Sequence, residues 1–182
     1  MIRRGKKMAG QKKWGKDGYL KNFEKSREGG YVYTGGLWQA DNARRRTVLG
    51  KLWALCAGQL VAVLLPGFFT TAGFSGSFYV ILPYVLWLIS SGYEAYLLGR
   101  ITFGGNPIRD YVYERSVKRY VPCAGAASVG AGLTALGLLV FFWEGGMGQG
   151  GALCFACCLF QLVVFFFKKK LEIKEIWEKI NR

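Results

Sequence analysis

The chain has 182 residues, 52% of them hydrophobic, and carries a formal net charge of +14. Histidine is absent, which removes the usual near-neutral proton shuttle and the commonest metal ligand and weakens any case for hydrolase or metalloenzyme chemistry. The 26 glycines come without repetitive or proline-rich stretches, a composition ordinary for packed membrane helices, where small residues let backbones approach.

Residues 1–47 form a polar, basic N-terminal extension opening MIRRGKKMAGQKKWGK. It is too long for a signal-peptide n-region, and the apolar run after it is long enough to span a bilayer. Asp17 is placed to cap a short helix over 18–28 that ends at Gly29-Gly30. In YVYTGGLWQ, Gly35-Gly36 can turn a small hairpin. Tyr31, Tyr33 and Trp38 equally suit an aromatic belt at headgroup level.

Asp41 is an N-cap for a helix that begins at Asn42 and passes through Arg44, Arg45 and Arg46 into the first apolar run, residues 52–69. Pro66 and Gly67 mark its far end. The second run, 78–98, is as long as a bilayer's ~30 Å hydrocarbon core is thick and contains one charge, Glu94. Pro83 lies early in it, where a missing backbone N–H costs least. A charged connector follows: Gly104-Gly105 turns, Asn106 caps and Pro107 opens a short amphipathic helix. The third and fourth runs cover 120–143 and 151–167. Lys168, Lys169 and Lys170 end the fourth. In the tail, Ile173, Ile176, Trp177 and Ile180 recur at helical spacing, which predicts an amphipathic C-terminal helix over 168–182.

The expected fold is thus an all-α integral membrane protein: a four-helix transmembrane domain over 48–167, flanked by the N-terminal extension and the C-terminal helix. Residues 1–51 hold 14 Lys and Arg, residues 100–119 hold five and residues 168–182 hold six, which together are all 25 in the protein. With four spans these segments share one side of the bilayer, and the positive-inside rule makes that side cytoplasmic. Both termini are then expected inside, in a multi-pass protein of the plasma (inner) membrane.

Glu94 is the only acid within an expected span, so it is the first functional candidate. Ser90 and Ser91, one turn earlier, can hydrogen-bond it. Its place near the cytoplasmic end of the run also lets it reach headgroup water or pair with Arg100. Gln59 and Gln161 lie near the middles of the first and fourth spans, where cross-helix hydrogen bonds are the simple expectation. On the third span, Ala127, Ala131 and Ala135 recur every four residues, as do Ala126, Gly130 and Thr134, giving surfaces suited to close helix packing. Arg44, Arg45, Arg46, Lys168, Lys169 and Lys170 suit contact with anionic inner-leaflet lipid. The three acids among the five tail charges argue instead for docking of its Ile173, Ile176, Trp177 and Ile180 stripe against protein, in a groove on a partner or on the chain's own N-terminal extension.

The five cysteines, Cys56, Cys123, Cys154, Cys157 and Cys158, sit in or at the edge of apolar runs and read as small buried hydrophobes. Cys154 and Cys157 form a CxxC, superficially similar to that of membrane quinone-linked disulfide-forming enzymes. Those enzymes need a second exterior cysteine pair, and residues 70–77 have none. Small multidrug transporters also combine four helices with one membrane glutamate, but their acid lies in the first span, where this chain has Gln59. No family membership follows.

With no histidine, no acid pair within a span and no phosphate-binding glycine loop, no catalytic set, metal site or cofactor is expected and the expected function is non-enzymatic. The chain reads as a scaffold or accessory subunit whose basic cytoplasmic face meets lipid and a protein partner or a second copy. Nucleic acid is disfavoured for want of any recognition signature. A small transporter or channel built on Glu94 and the intramembrane Gln and Ser residues is the alternative, and a thiol redox enzyme the third.

Overall fold

The computed structural model describes residues 23–25, 31–33, 35–68, 77–145 and 149–180, and the chain divides into two units, Met1–Gly36 and Leu37–Arg182. In the first unit, β1 (Phe23–Lys25) pairs antiparallel with β2 (Tyr31–Tyr33), Glu24 opposite Val32. The helix expected over 18–28 is therefore replaced by strand at 23–25; its expected cap, Asp17, lies outside the described residues. β2, expected in a hairpin across Gly35-Gly36, takes β1 as its partner.

In the second unit, β3 (Leu37–Ala40) is the middle strand of a three-stranded antiparallel sheet, between β4 (Ile108–Arg109) and β5 (Trp177–Ile180). Trp38 stacks on Tyr113 with ring centroids 3.8 Å apart and donates Nε1–H to Asp110 Oδ1 at 2.7 Å. Asp41 caps α1 (Asn42–Leu64) by accepting the Arg44 backbone N–H at 3.1 Å, as its residue type predicts. A 3-10 turn, Leu65–Phe68, closes α1 at Pro66.

Helix α2 (Phe78–Phe103) runs past the apolar segment and stops at Gly104, followed by Gly105 at φ 79°. Asn106 does not cap a helix. Its Oδ1 accepts the Ala40 N–H at 3.1 Å and its Nδ2 donates to Ala40 O at 2.7 Å, so the side chain extends the sheet at β3. Pro107 precedes β4 rather than opening a helix. The connector helix is not separate from the third span. A helical turn, Asp110–Val112, and a π-helical stretch, Tyr113–Val117, lead straight into α3 (Lys118–Trp143). No glycine or proline lies between Arg109 and Tyr120 to break the rod. Helix α4 (Gln149–Lys170) completes the set.

These are, among the described residues, four helical segments long and apolar enough to cross a membrane. They pack in a ring, α1 on α2, α2 on α3, α3 on α4 and α4 on α1. Only 33–44% of the most apolar stretch of each is buried, so the outer faces are apolar too, as in helices solvated by lipid. The α2–α3 contact brings the two backbones together. A Cβ on Gly130 would stand 2.8 Å from Trp87 N, and one on Gly137 would stand 2.7 Å from Tyr79 O. Ala127, Ala131 and Ala135 of the same helix are buried.

The tail differs most from expectation. Residues 171–176 form turns, Glu172 takes φ 43°, and β5 pairs with β3, Trp177 opposite Ala40 and Ile180 opposite Leu37. A hydrogen bond and the charge of Glu172 hold the exposed Glu175 carboxyl above its ordinary range. Ile173, Ile176 and Trp177 are buried and Ile180 half-buried in this chain's own core, with β5 on a strand of the expected N-terminal extension, so the stripe docks on protein within the chain but as turns and a strand, not as a helix. A ten-residue helix is marginal by itself, whereas the open edge of β3 offers a ladder of backbone hydrogen bonds. The compact unit thus takes a strand from the expected N-terminal extension and another from the tail, and the all-α expectation holds for the four-helix body alone.

Candidate functional site

Buried apolar side chains gather in two clusters. One lies toward the sheet and includes Leu52, Cys56, Leu97, Tyr120, Ile173 and Trp177. The other lies toward the opposite end and includes Ala62, Trp87, Ala127, Cys154 and Cys158. Between them, along α1, α2 and α4, falls a polar layer: Gln59, Ser91, Glu94 and Lys168, each at most 2% exposed.

Glu94 lies nine residues before the end of α2, about 14 Å of helix rise, because that helix continues to Phe103. It is fully buried within the bundle, and Arg100 lies instead over the Tyr96 ring, 5.9 Å from its centroid. The partner of Glu94 is Lys168, whose Nζ donates to Glu94 Oε1 at 2.6 Å and also to Gln59 Oε1. Gln59 Nε2 donates to Glu94 Oε2 at 3.1 Å and to Ser91 Oγ at 2.7 Å. Ser91 Oγ donates on to Trp87 O at 2.8 Å. The Gln59 amide has one workable orientation here, its carbonyl toward the ammonium and its NH2 toward the carboxylate.

Both carboxylate oxygens are therefore occupied, by one charge and one amide from two other helices. Burying such charges is costly, and only close pairing with further hydrogen bonds compensates for the lost water. Tyr120 of α3 is fully buried against Glu94, its hydroxyl beside the carboxylate without a formed hydrogen bond. Cys56 of α1 and Cys123 of α3 border the same charges. All four helices thus contribute to one electroneutral centre.

Of the candidates picked from sequence, Glu94, Ser91 and Gln59 come together. Ser90 is buried beside them, its carbonyl accepting from Cys123 Sγ at 3.4 Å. Gln161 stands apart: it is fully buried, and neither end of its amide has a hydrogen-bond partner among the described residues. The sequence places Lys168 with Lys169 and Lys170 at the lipid surface. Instead its stem turns inward and carries the ammonium to Glu94, while Lys169 and Lys170 are exposed. A signal for this was present: Lys168 follows Gln161 by seven residues and shares its face of α4, whereas its two neighbours point elsewhere.

The cysteines of α4 are all buried and free. Cys154 lies against Cys158. No cluster of three His, Cys, Asp or Glu able to hold a metal occurs among the described residues. No protein-family model matches the chain, and neither does any curated protein or solved structure.

Proposed function

We propose that this chain is a four-span integral membrane protein with both termini in the cytoplasm, acting as a non-enzymatic scaffold or accessory subunit of a membrane complex. The observation that carries the scaffold reading is the closed Glu94–Lys168–Gln59 layer. Its acid is committed to this chain's own groups, as in a device that fixes how helices assemble. The confinement of all 25 basic residues to three segments on one side supports the orientation. Exposed Phe68, Phe78, Phe142 and Trp143 at the opposite helix ends suit the other interface, where aromatic rings collect.

A transporter is the second reading, favoured by the unpartnered Gln161 amide on the same α4 face as Lys168. Glu94→Gln separates the two readings. It keeps the side-chain shape, and made together with Lys168→Met it leaves no unpaired buried charge, so a scaffold still co-purifies with its partner in mild detergent. A proton-coupled carrier loses coupled uptake in reconstituted vesicles. A flux that the wild type supports and Glu94→Gln abolishes would overturn the scaffold. Orientation is read independently in a background stripped of reactive cysteines: cysteine at Ser75 should label from outside intact cells and cysteine at Ser26 should not.

A further inference from the structure

Near the sheet end of the bundle, α1 and α2 enclose an open cavity of about 510 Å³. Its α1 lining falls at positions 42, 45, 46, 49, 50 and 53, a single helical face, and Thr102 supplies the α2 wall. Polarity changes along that face. Asn42, Arg45 and Arg46 occupy the first turn; Leu49, Gly50 and Trp53 carry the cavity toward the apolar middle of the helix. From Asn42 to Trp53 is about 16 Å of rise.

Arg45 is held in place. Its Nη2 donates to Ile101 O at 3.1 Å and Thr102 O at 3.0 Å, the last carbonyls of α2, and its guanidinium lies 5.6 Å from the Trp177 ring centroid. Its Nε has no hydrogen-bond partner among the described residues. Arg46 is exposed beside it. Trp53 is fixed as well, its Nε1–H donating to Thr102 Oγ1 at 3.0 Å. Gly50 leaves the floor open, since a Cβ there would meet nothing within 4 Å.

We propose that this cavity seats one anionic phospholipid, its phosphate against Arg45 and Arg46 at the N-terminus of α1 and its acyl chains along Leu49, Gly50 and Trp53. The shared chemistry is phosphate on a guanidinium pair. The gradient from cationic to apolar along one face selects the lipid over a free phosphate, which has no use for the lower half. The site rests on the membrane reading above and adds to it a single seat, in place of diffuse attraction.

The test uses full-length protein in phosphatidylcholine nanodiscs, with phosphatidylglycerol as the titrated probe and bound lipid counted by native mass spectrometry. Arg46→Gln should weaken retention about fivefold, the worth of one exposed ion pair to the seated phosphate. Lys170→Gln, which removes the same charge elsewhere on that side, should leave retention unchanged. Gly50→Leu removes no charge and fills the floor, and it should also displace the lipid. Equal losses from Arg46→Gln and Lys170→Gln, or full retention in Gly50→Leu, would overturn the seat. Competition by soluble glycerol phosphate as effective as by phosphatidylglycerol would overturn the lipid in favour of a headgroup-only site. Carbonate extraction of wild-type membranes reads the spanning architecture separately: release of the chain would sink the membrane reading itself, while retention with a failed titration sinks only the seat.

Discussion

Helix α2 is held on its two sides by different physics. Toward α3 it is held by surface: Gly130 and Gly137 let backbone meet backbone at Trp87 and Tyr79. Toward α1 and α4 it is held by charge, one carboxylate receiving an ammonium and an amide. The first contact is sensitive to volume and indifferent to charge, and the second reverses both. Between helices surrounded by lipid the hydrophobic effect offers little, because lipid tails are as apolar as leucine. Close packing and interhelical polar bonds are what remain, and this bundle uses one on each side of the same helix.

The sharpest way to break that contrast is at the charged side. Lys168→Met leaves Glu94 buried without its cation and should cost about 3–5 kcal/mol, read by SDS titration of the detergent-solubilised protein. Adding Glu94→Gln should recover most of that loss. A double variant as damaged as the sum of the two singles would show that the pair is not coupled. On the packed side the same experiment should report volume instead. Gly137→Ala should cost about 1–3 kcal/mol, since the Tyr79 carbonyl cannot yield as a side chain would. Gly132→Ala, whose Cβ meets nothing within 4 Å, should stabilise the helix by up to about 1 kcal/mol. The same sign at both glycines would remove the close-approach argument. The smallest effect is expected at Gln161: replacing its unpartnered amide by leucine should be neutral or stabilising by about 1 kcal/mol. A marked loss of stability in Gln161→Leu would reveal a partner for that amide and blur the line between the two sides.

Much of the candidate site was legible residue by residue and little of it as a set. Glu94, Ser91 and Gln59 stand out because polar groups in apolar runs are rare, a property visible in one dimension. Lys168 was hidden by its neighbours: three consecutive lysines look like a solvated helix end, and only rotation about the α4 axis separates the one that faces inward. The tail misled for a related reason. Ile173, Ile176 and Trp177 are buried as their apolar character predicts, but helical spacing alone did not decide between a helix and turns leading to a strand. The free edge of β3, more than a hundred residues earlier in the chain, decided it.

The sequence by itself determined what depends on short stretches of chain. Four apolar runs of spanning length, the Asp41 cap, the small-residue face of α3 and the gathering of basic residues in three segments are each set by local composition, and the helices form where they predict. Tertiary structure decided which distant groups meet. Glu94 and Lys168 lie 74 positions apart and Gln59 and Lys168 lie 109 apart, and no local preference links them. A buried charge has to find an opposite charge, and a strand edge has to find a strand. Which one it finds is set by the closing of the four-helix ring, which brings α4 back to α1 and the tail back to β3.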